Sequence, residues 1–318
     1  MTPASPPGAT ARNERDRLRR SLLYVPGNMP GMLQNIPVFE ADVVMIDLED
    51  AVPLAEKDGA RILTRTFLQT VAERPQEIYV RINALDTKYA LDDLREVLPA
   101  VPDGIRLPKA DSPDVVEHLD TLLTEYEEKL RLPIGWFKIL PSIESAIGVL
   151  NCVQTAAASK RMVALAFGAE DYTASLEIHR TKTGEELFHA RTRIVWAAKA
   201  AGIQAIDSVF SDANDMDGLR RETELVKSLG FTGKSLVNPR QIPVVHDVFR
   251  PKPEEIEEAL EVLDAIKRAR EMGTGVISLR GRMVDAPVVK RAARILKTAA
   301  AFGLVEVDLS DEVIYGKE

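Results

Sequence analysis

Asp47, Glu49 and Asp50 stand where the apolar run Val43, Val44, Met45, Ile46 passes into a loop that reaches Val52 and Pro53. Carboxylates this close repel one another, and a buried strand ends in them only if a cation, a metal or a proton offsets the charge. A solvated acidic loop is the alternative for this segment taken alone. Polar groups follow the other short apolar runs as well: Arg81 and Asn83, Lys109, Ser142 with Glu144 and Ser145, Glu170 with Asp171, Asp207 with Ser208, and Asn238 with Arg240 and Gln241. Acids in this number, without a His or Cys cluster, suit a hard divalent cation, Mg2+ or Mn2+, which takes oxygen ligands and keeps several waters. Glu144 and Asp171 are the ligand candidates; acids that merely complement a helix dipole are the alternative reading. Arg81 carries the planar fork that matches a substrate carboxylate, or else serves a structural salt bridge, and Lys109 is either a site residue or a solvated loop lysine.

Short β-prone runs position these groups, at 22–25, 43–48, 78–82, 104–107, 137–140, 162–167, 203–206 and 234–237. Stretches of helical period separate them, such as Ala90–Val97 with Leu91, Leu94 and Leu98 on one face, and 115–130 with Val116, Leu119, Leu122 and Leu123 on another. Alternating strand and helix predicts a parallel sheet, and eight such units predict a closed (β/α)8 TIM barrel, of class α/β, over residues 16–250. The competing open Rossmann-like sheet lacks its Gly-x-Gly-x-x-Gly turn. In a barrel the residues just past the strands form the active site. Residues 1–15 read as a flexible tail. Beyond Pro251 the pattern changes to a C-terminal helical extension, 251–318. Its first helix carries Ile256, Ala259, Leu260, Leu263 and Ile266 on one face, a β-prone stretch of 275–279 follows, and a last helix spans 288–301. These apolar faces are expected to be buried on the barrel or on a neighbouring subunit.

Composition excludes several classes. A net charge of -8 opposes nucleic acid as the main partner. The arginines between Arg12 and Arg20 are followed by an apolar run that Pro26 and Gly27 cut short, too brief for a signal peptide. No run is long enough to cross a bilayer, so a cytoplasmic location is expected. The single Cys152 allows no internal disulfide or Cys-based zinc site and reads as a buried thiol, and the four histidines lack metalloprotease spacing.

Together these residues resemble the citrate lyase beta subunits of the HpcH/HpaI aldolase superfamily, from about Arg20 to Ala301. The likeness is carried by Arg-Ser-Leu-Leu-Tyr-Val-Pro-Gly (20–27), Asp-Leu-Glu-Asp-Ala-Val (47–52), Val-Arg-Ile-Asn-Ala-Leu-Asp (80–86), Arg-Leu-Pro-Lys (106–109) and Ile-Glu-Ser-Ala-Ile-Gly (143–148). It continues in Gly-Ala-Glu-Asp-Tyr (168–172), Asp-Ser-Val-Phe-Ser-Asp-Ala-Asn (207–214), Gly-Lys-Ser-Leu-Val-Asn-Pro-Arg-Gln (233–241) and Gly-Arg-Met-Val-Asp-Ala-Pro (281–287). Many relatives carry His where this chain has Asn238, whereas Asn-Pro-Arg-Gln resembles citrate lyase beta subunits proper.

The resemblance implies a Mg2+-dependent carbon–carbon lyase. Glu144 and Asp171 would hold the metal, Arg81 the substrate anion, and Glu49 and Asp50 the metal's waters or position. Asp285 would act as acid/base group, in a neighbouring subunit's site within a trimer or a dimer of trimers. The substrate is a 3-hydroxy-3-carboxyacyl thioester of coenzyme A or an acyl carrier protein, its arm met at a basic entrance by Arg20, Lys57 and Lys109. Citryl-thioester cleavage to oxaloacetate, citramalyl-CoA or malyl-CoA cleavage to pyruvate or glyoxylate, and a non-catalytic place in a larger lyase complex with other citrate lyase subunits all remain open. Glu144, Asp171 and Arg81 together count against the last.

Overall fold

The computed structural model describes residues 17–71, 75–271, 277–279 and 282–307. The expected tail at 1–15 lies outside them, as do Gly275 and Val276 of the β-prone stretch. Arg19–Val248 and the chain from Phe249 onward belong to two compact units.

In the first unit, runs rich in Val, Ile and Leu form eight parallel strands: β1 Ser21–Pro26, β2 Val43–Asp47, β3 Glu77–Arg81, β4 Gly104–Leu107, β5 Lys138–Ile143, β6 Ala164–Phe167, β7 Gln204–Asp207 and β8 Gly233–Leu236. They pair in chain order and close, with Leu22 of β1 opposite Ser235 of β8. This is a TIM barrel, and each expected run overlaps one of its strands. β5 runs on through Pro141 to Ile143 rather than ending at 140. The helices between them are α1 Pro30–Leu33, α2 Lys57–Thr70, α3 Ala90–Val97, α4 Pro113–Leu130, α5 Ala146–Ala156 and α6 Ala169–Ser175, then α7 Phe188–Ala201, α8 Met216–Leu229 and α9 Ile242–Phe249.

Helix and strand layers explain the composition of the strands. Every residue of β2 is buried, as expected of parallel strands covered on both faces. Each fully buried Val, Leu or Ile contributes roughly 1.5–3 kcal/mol over its exposed state. Closure needs a glycine at 233, because a Cβ there would meet the Arg19 carbonyl oxygen at 1.9 Å.

Side chains alternate between the barrel's inside and its helical coat. Leu22, Val43, Met45, Tyr79, Leu140, Ala164, Ala166 and Ile206 form one cluster inside. Two residues further along their strands, the same phase brings Asp47, Arg81, Ser142 and Gly168 inward near the carboxyl end. Arg106 is in register with both Arg81 and Leu140 and shares that phase.

The second unit contains α10 Pro253–Glu271, an antiparallel pair of short strands, β9 Ile277–Leu279 and β10 Arg282–Val284, and α11 Ala286–Ala301. Ala259, Val262 and Leu263 of α10 pack with Val284 and with Val289, Ala292, Ala293 and Leu296 of α11; Ile256, Leu260 and Ile266 border that cluster. Within the unit, part of this stripe is covered by α11 and the hairpin. A helical pattern identifies an apolar face but not its partner.

Candidate active site

Asp47, the last residue of β2, organises the mouth. Its carboxylate receives Arg81 Nε at 2.7 Å and Nη2 at 2.6 Å, and also the backbone N–H groups of Glu49 (2.9 Å) and Ala51 (3.1 Å). One side chain thus orients the arginine and folds the acidic loop back over it. Arg81 Nη1 lies 2.9 Å from Glu49 and 3.4 Å from Asp50, and the guanidinium sits 5.0 Å from the centre of the Tyr24 ring. Burial pushes the Glu49 carboxyl up to about 8 against the pull of Arg81, with Asp50, Glu144 and Asp47 adding to the rise.

Glu144 follows β5 and is 5% exposed. Lys109, held at a left-handed φ of 51°, turns its backbone N–H onto Glu144 Oε1 at 2.7 Å. The other oxygen, Oε2, faces Gly168 at the end of β6, where an added Cβ would come within 2.8 Å of it. Burial raises the Glu144 pKa most, the Lys109 N–H and the charge of Arg106 oppose that, and Asp171 adds to it. Asp171, in the first turn of α6, is exposed; partial desolvation and then Asp50 raise its pKa, while Arg81 and Lys109 lower it. Glu144, Asp171, Arg81, Glu49, Asp50 and Lys109 therefore share one electrostatic neighbourhood at the barrel mouth.

These residues fit a divalent cation. Carboxylates crowd together in excess of the cations beside them, and the glycine at 168 keeps open the space next to Glu144 Oε2. Among the described residues no group of three or more His, Cys, Asp or Glu forms a metal cage. The fit is that of two carboxylates with the remaining positions left to water and substrate oxygens, the manner in which Mg2+ is usually held.

Other expected residues lie elsewhere. Arg20, just before β1, is at the amino end of the barrel, where it pairs with Asp42 through Nε at 2.7 Å and Nη2 at 2.6 Å; it is not at the entrance. Lys57 is buried and donates to the carbonyls of Leu48 (2.7 Å) and Glu49 (2.6 Å), so it fastens the acidic loop from beneath and presents no charge to a thioester arm. Lys109 keeps an exposed side chain at the mouth. Asp285 belongs to the second unit, is exposed, and caps α11 by accepting the Val288 N–H at 3.1 Å. Asn238 and Gln241 close a capping box around the turn Pro239–Gln241, a local reason for Asn at that position. Asp207 faces the helical coat, as described below.

The comparisons fit this geometry. Residues 20–239 match the HpcH/HpaI aldolase/citrate lyase family. The chain is 48% identical over 291 residues to citrate lyase subunit beta of Leuconostoc mesenteroides subsp. cremoris, covering 92% of this chain and 96% of that one. It belongs to the HpcH/HpaI aldolase/citrate lyase family. As a member it is a carbon–carbon lyase. It is also 34% identical over 295 residues to the mitochondrial citramalyl-CoA lyase of Mus musculus, covering 89% and 86% of the two chains. A crystal structure of the protein CitE from Mycobacterium tuberculosis in complex with magnesium, acetoacetate and coenzyme A has a TM-score of 0.74 and 30% identity, covering 90% of this chain and 99% of that chain.

Within this family member, the roles of three groups depend on the folded chain. Asp47 was visible as one acid of three, but its organising role depends on β2 and β3 being neighbours. Gly168 stood inside a quoted motif without a reason. Arg106 carries a signal in the sequence itself: an arginine in the middle of an apolar strand is costly to bury and calls for a purpose.

Proposed function

We propose that this lyase is Mg2+-dependent, with Mn2+ as a substitute, and cleaves a citryl thioester to oxaloacetate and an acetyl thioester. The observation carrying the proposal is the meeting of Glu144 and Asp171 with the Arg81, Asp47, Glu49 and Asp50 network at the carboxyl end of the barrel. Likeness to citrate lyase subunit beta supports citryl as the acyl group. The thioester belongs to coenzyme A or to an acyl carrier protein.

Cleavage breaks the bond between C2 and C3 of the acyl chain. The 3-hydroxyl loses its proton, the oxo acid departs, and the bonding pair passes to C2 as the enolate of the acetyl thioester, which then takes up a proton. When bound, the cation held by Glu144 and Asp171 supplies positive charge to the oxygens of the oxo acid. Arg81, fixed by Asp47, offsets negative charge as it develops, and its fixed position avoids reorganisation at the moment of reaction. Glu49 and Asp50 hold Arg81 from the solvent side and position waters. Asp285 moves the proton, contributed by a neighbouring copy in a trimer or hexamer. Lys109 meets the thioester arm. The enzyme works in the cytoplasm, alone or beside other citrate lyase subunits; no helix among the described residues is long and apolar enough to cross a membrane.

A second reading is favoured by the 34% identity to a citramalyl-CoA lyase: the same groups would release pyruvate from citramalyl-CoA, or glyoxylate from malyl-CoA. Incubating the purified chain and Mg2+ with citryl-CoA, citramalyl-CoA and malyl-CoA, and identifying the oxo acid released, separates them. Oxaloacetate is expected. Silence on all three substrates leaves the non-catalytic subunit. Light scattering tests the shared site, since a monomer with full activity removes Asp285 from it.

A further inference from the structure

Arg106 is 2% exposed, and its Nε and Nη1 atoms have no hydrogen-bond partner among the described residues. It forms no ion pair there either. A desolvated guanidinium with idle N–H groups is one of the more expensive arrangements a fold can keep. Every other fully buried arginine of the described residues, Arg19 and Arg191, is matched to a carboxylate at 2.6 Å and 2.9 Å. Arg106 instead lies in the barrel, in register with Arg81 on one side and Leu140 on the other. Its charge reaches the Glu144 carboxylate, which it holds down against burial.

The neighbouring groups add direction. Ser142 shares the inward phase, is 1% exposed, and its Oγ also has no partner among the described residues. Its register partner is Ala166, and β6 presents only Ala164, Ala166 and then Gly168 to the interior, so little side-chain volume stands over Ser142. Glu144 is rooted beyond Ser142, toward the mouth. Arg106, in register with Arg81 on one side and with Leu140 on the other, therefore faces the interior beside the strand that leads to Glu144. Arg81 cannot play this part, because Asp47, Glu49 and Asp50 already occupy its fork.

We infer that Arg106, with Ser142, is the specificity site for the substituent on C3 of the substrate, and that it selects a substituent ending in a carboxylate. The inference rests on the lyase reading above and deepens it: the class of substrate is one whose oxo-acid product carries two carboxylates. With the reacting oxygens directed to Glu144 and Asp171, a substituent pointing down the barrel axis reaches Arg106. A carboxymethyl group there pairs with the guanidinium and the hydroxyl, whereas a methyl or hydrogen leaves both unmatched. Sites built around polar groups reject analogues that lack the matching group far more strongly than apolar pockets discriminate size.

The test uses the full chain saturated with Mg2+, titrated with oxaloacetate and with pyruvate by calorimetry, followed by turnover of citryl-CoA and citramalyl-CoA. Wild-type protein is expected to prefer oxaloacetate. Arg106→Met should weaken oxaloacetate roughly 100-fold while leaving pyruvate within about threefold, and should lower the citryl to citramalyl ratio of kcat/KM by a similar factor. Arg106→Lys should recover part of that ratio. Metal-free Arg106→Met should melt no lower than wild type, since an idle buried cation is being removed; a structural arginine would give the opposite. Equal loss for both oxo acids in Arg106→Met, or equal affinity of wild type for both, overturns the assignment and leaves the lyase reading standing. The second measurement needs no variant to fold. Binding of neither oxo acid removes the lyase reading and this inference together.

Discussion

Two strand-end aspartates, Asp47 and Asp207, both close a short apolar run, yet they anchor charge clusters of opposite character. Asp207 is fully buried between strands and helices: Arg191 Nε of α7 is 2.9 Å from its Oδ1, Lys234 Nζ of β8 is 2.6 Å from its Oδ2, and Lys234 also meets Glu222 of α8 at 2.6 Å. Arg191 completes the circuit with Glu222 at 3.1 Å, and Arg180 reaches the same carboxylate at 3.6 Å, so the acids here are fully matched by cations. At the mouth, Asp47, Glu49, Asp50, Glu144 and Asp171 outnumber Arg81, Arg106 and Lys109, burial raises the pKa of Glu49 and Glu144, and Arg106 stands idle. A matched network holds helices to strands. A mismatched one waits for ligands, and its free energy is recovered only when they bind.

That contrast is open to direct attack. Glu144→Gln or Asp171→Asn should abolish Mg2+-dependent turnover, by about 10³-fold or more, with the melting temperature of the metal-free protein unchanged or raised. Full activity in both variants would end the assignment of the metal site. Asp207→Asn should behave in the reverse way: by leaving Glu222 as the sole carboxylate partner of Arg191 and Lys234 it should cost on the order of 3 kcal/mol of stability in denaturant unfolding, while activity per folded molecule is retained. Arg191 and Lys234 hold the Asp207 pKa down to about 2 against burial. A depressed carboxyl stabilises above its unfolded pKa and loses that contribution as pH falls through the folded one, so this region should weaken only in strong acid, between about pH 4 and pH 2.

Gly168→Ala is the finer test of the mouth. Its Cβ would meet Glu144 Cβ at 2.6 Å and Oε2 at 2.8 Å, so Mg2+ affinity, read by calorimetry, should fall roughly 10- to 100-fold, and the melting temperature should fall as well. Unchanged affinity would mean that the Glu144 carboxylate has other room. Glu49, whose pKa is raised to about 8, offers a test by pH. A raised carboxyl stabilises below its unfolded pKa and loses that contribution as pH rises through the folded one. Metal-free protein should therefore soften between about pH 4.5 and pH 8, with a shallower slope in Glu49→Gln and on addition of Mg2+. Identical slopes in wild type and variant would place that titration elsewhere.

The alternation of β-prone and helical runs was enough to read the barrel, since strand and helix periods are local properties of the chain. The same runs identified Glu144, Asp171, Glu49, Asp50 and Arg81 as groups that share the mouth, because a parallel barrel brings all strand ends to one side. Arg20 and Lys57 were misplaced for two different reasons. Arg20 precedes its strand and so lies at the opposite end, a distinction available from position alone; Lys57 is drawn under the loop by carbonyls that only the folded backbone brings within reach.

Sequence by itself determined the count and order of strands, the acids that follow them, and the family. Tertiary structure decided which way each polar residue faces. A strand's side chains alternate with a period of two, so a shift of one residue in phase sends an aspartate either into the barrel, as Asp47, or into the helical coat, as Asp207. That phase is fixed by register with neighbouring strands, Asp47 beside Arg81 and Asp207 beside Lys234, and register is a property of contacts between segments far apart in the chain.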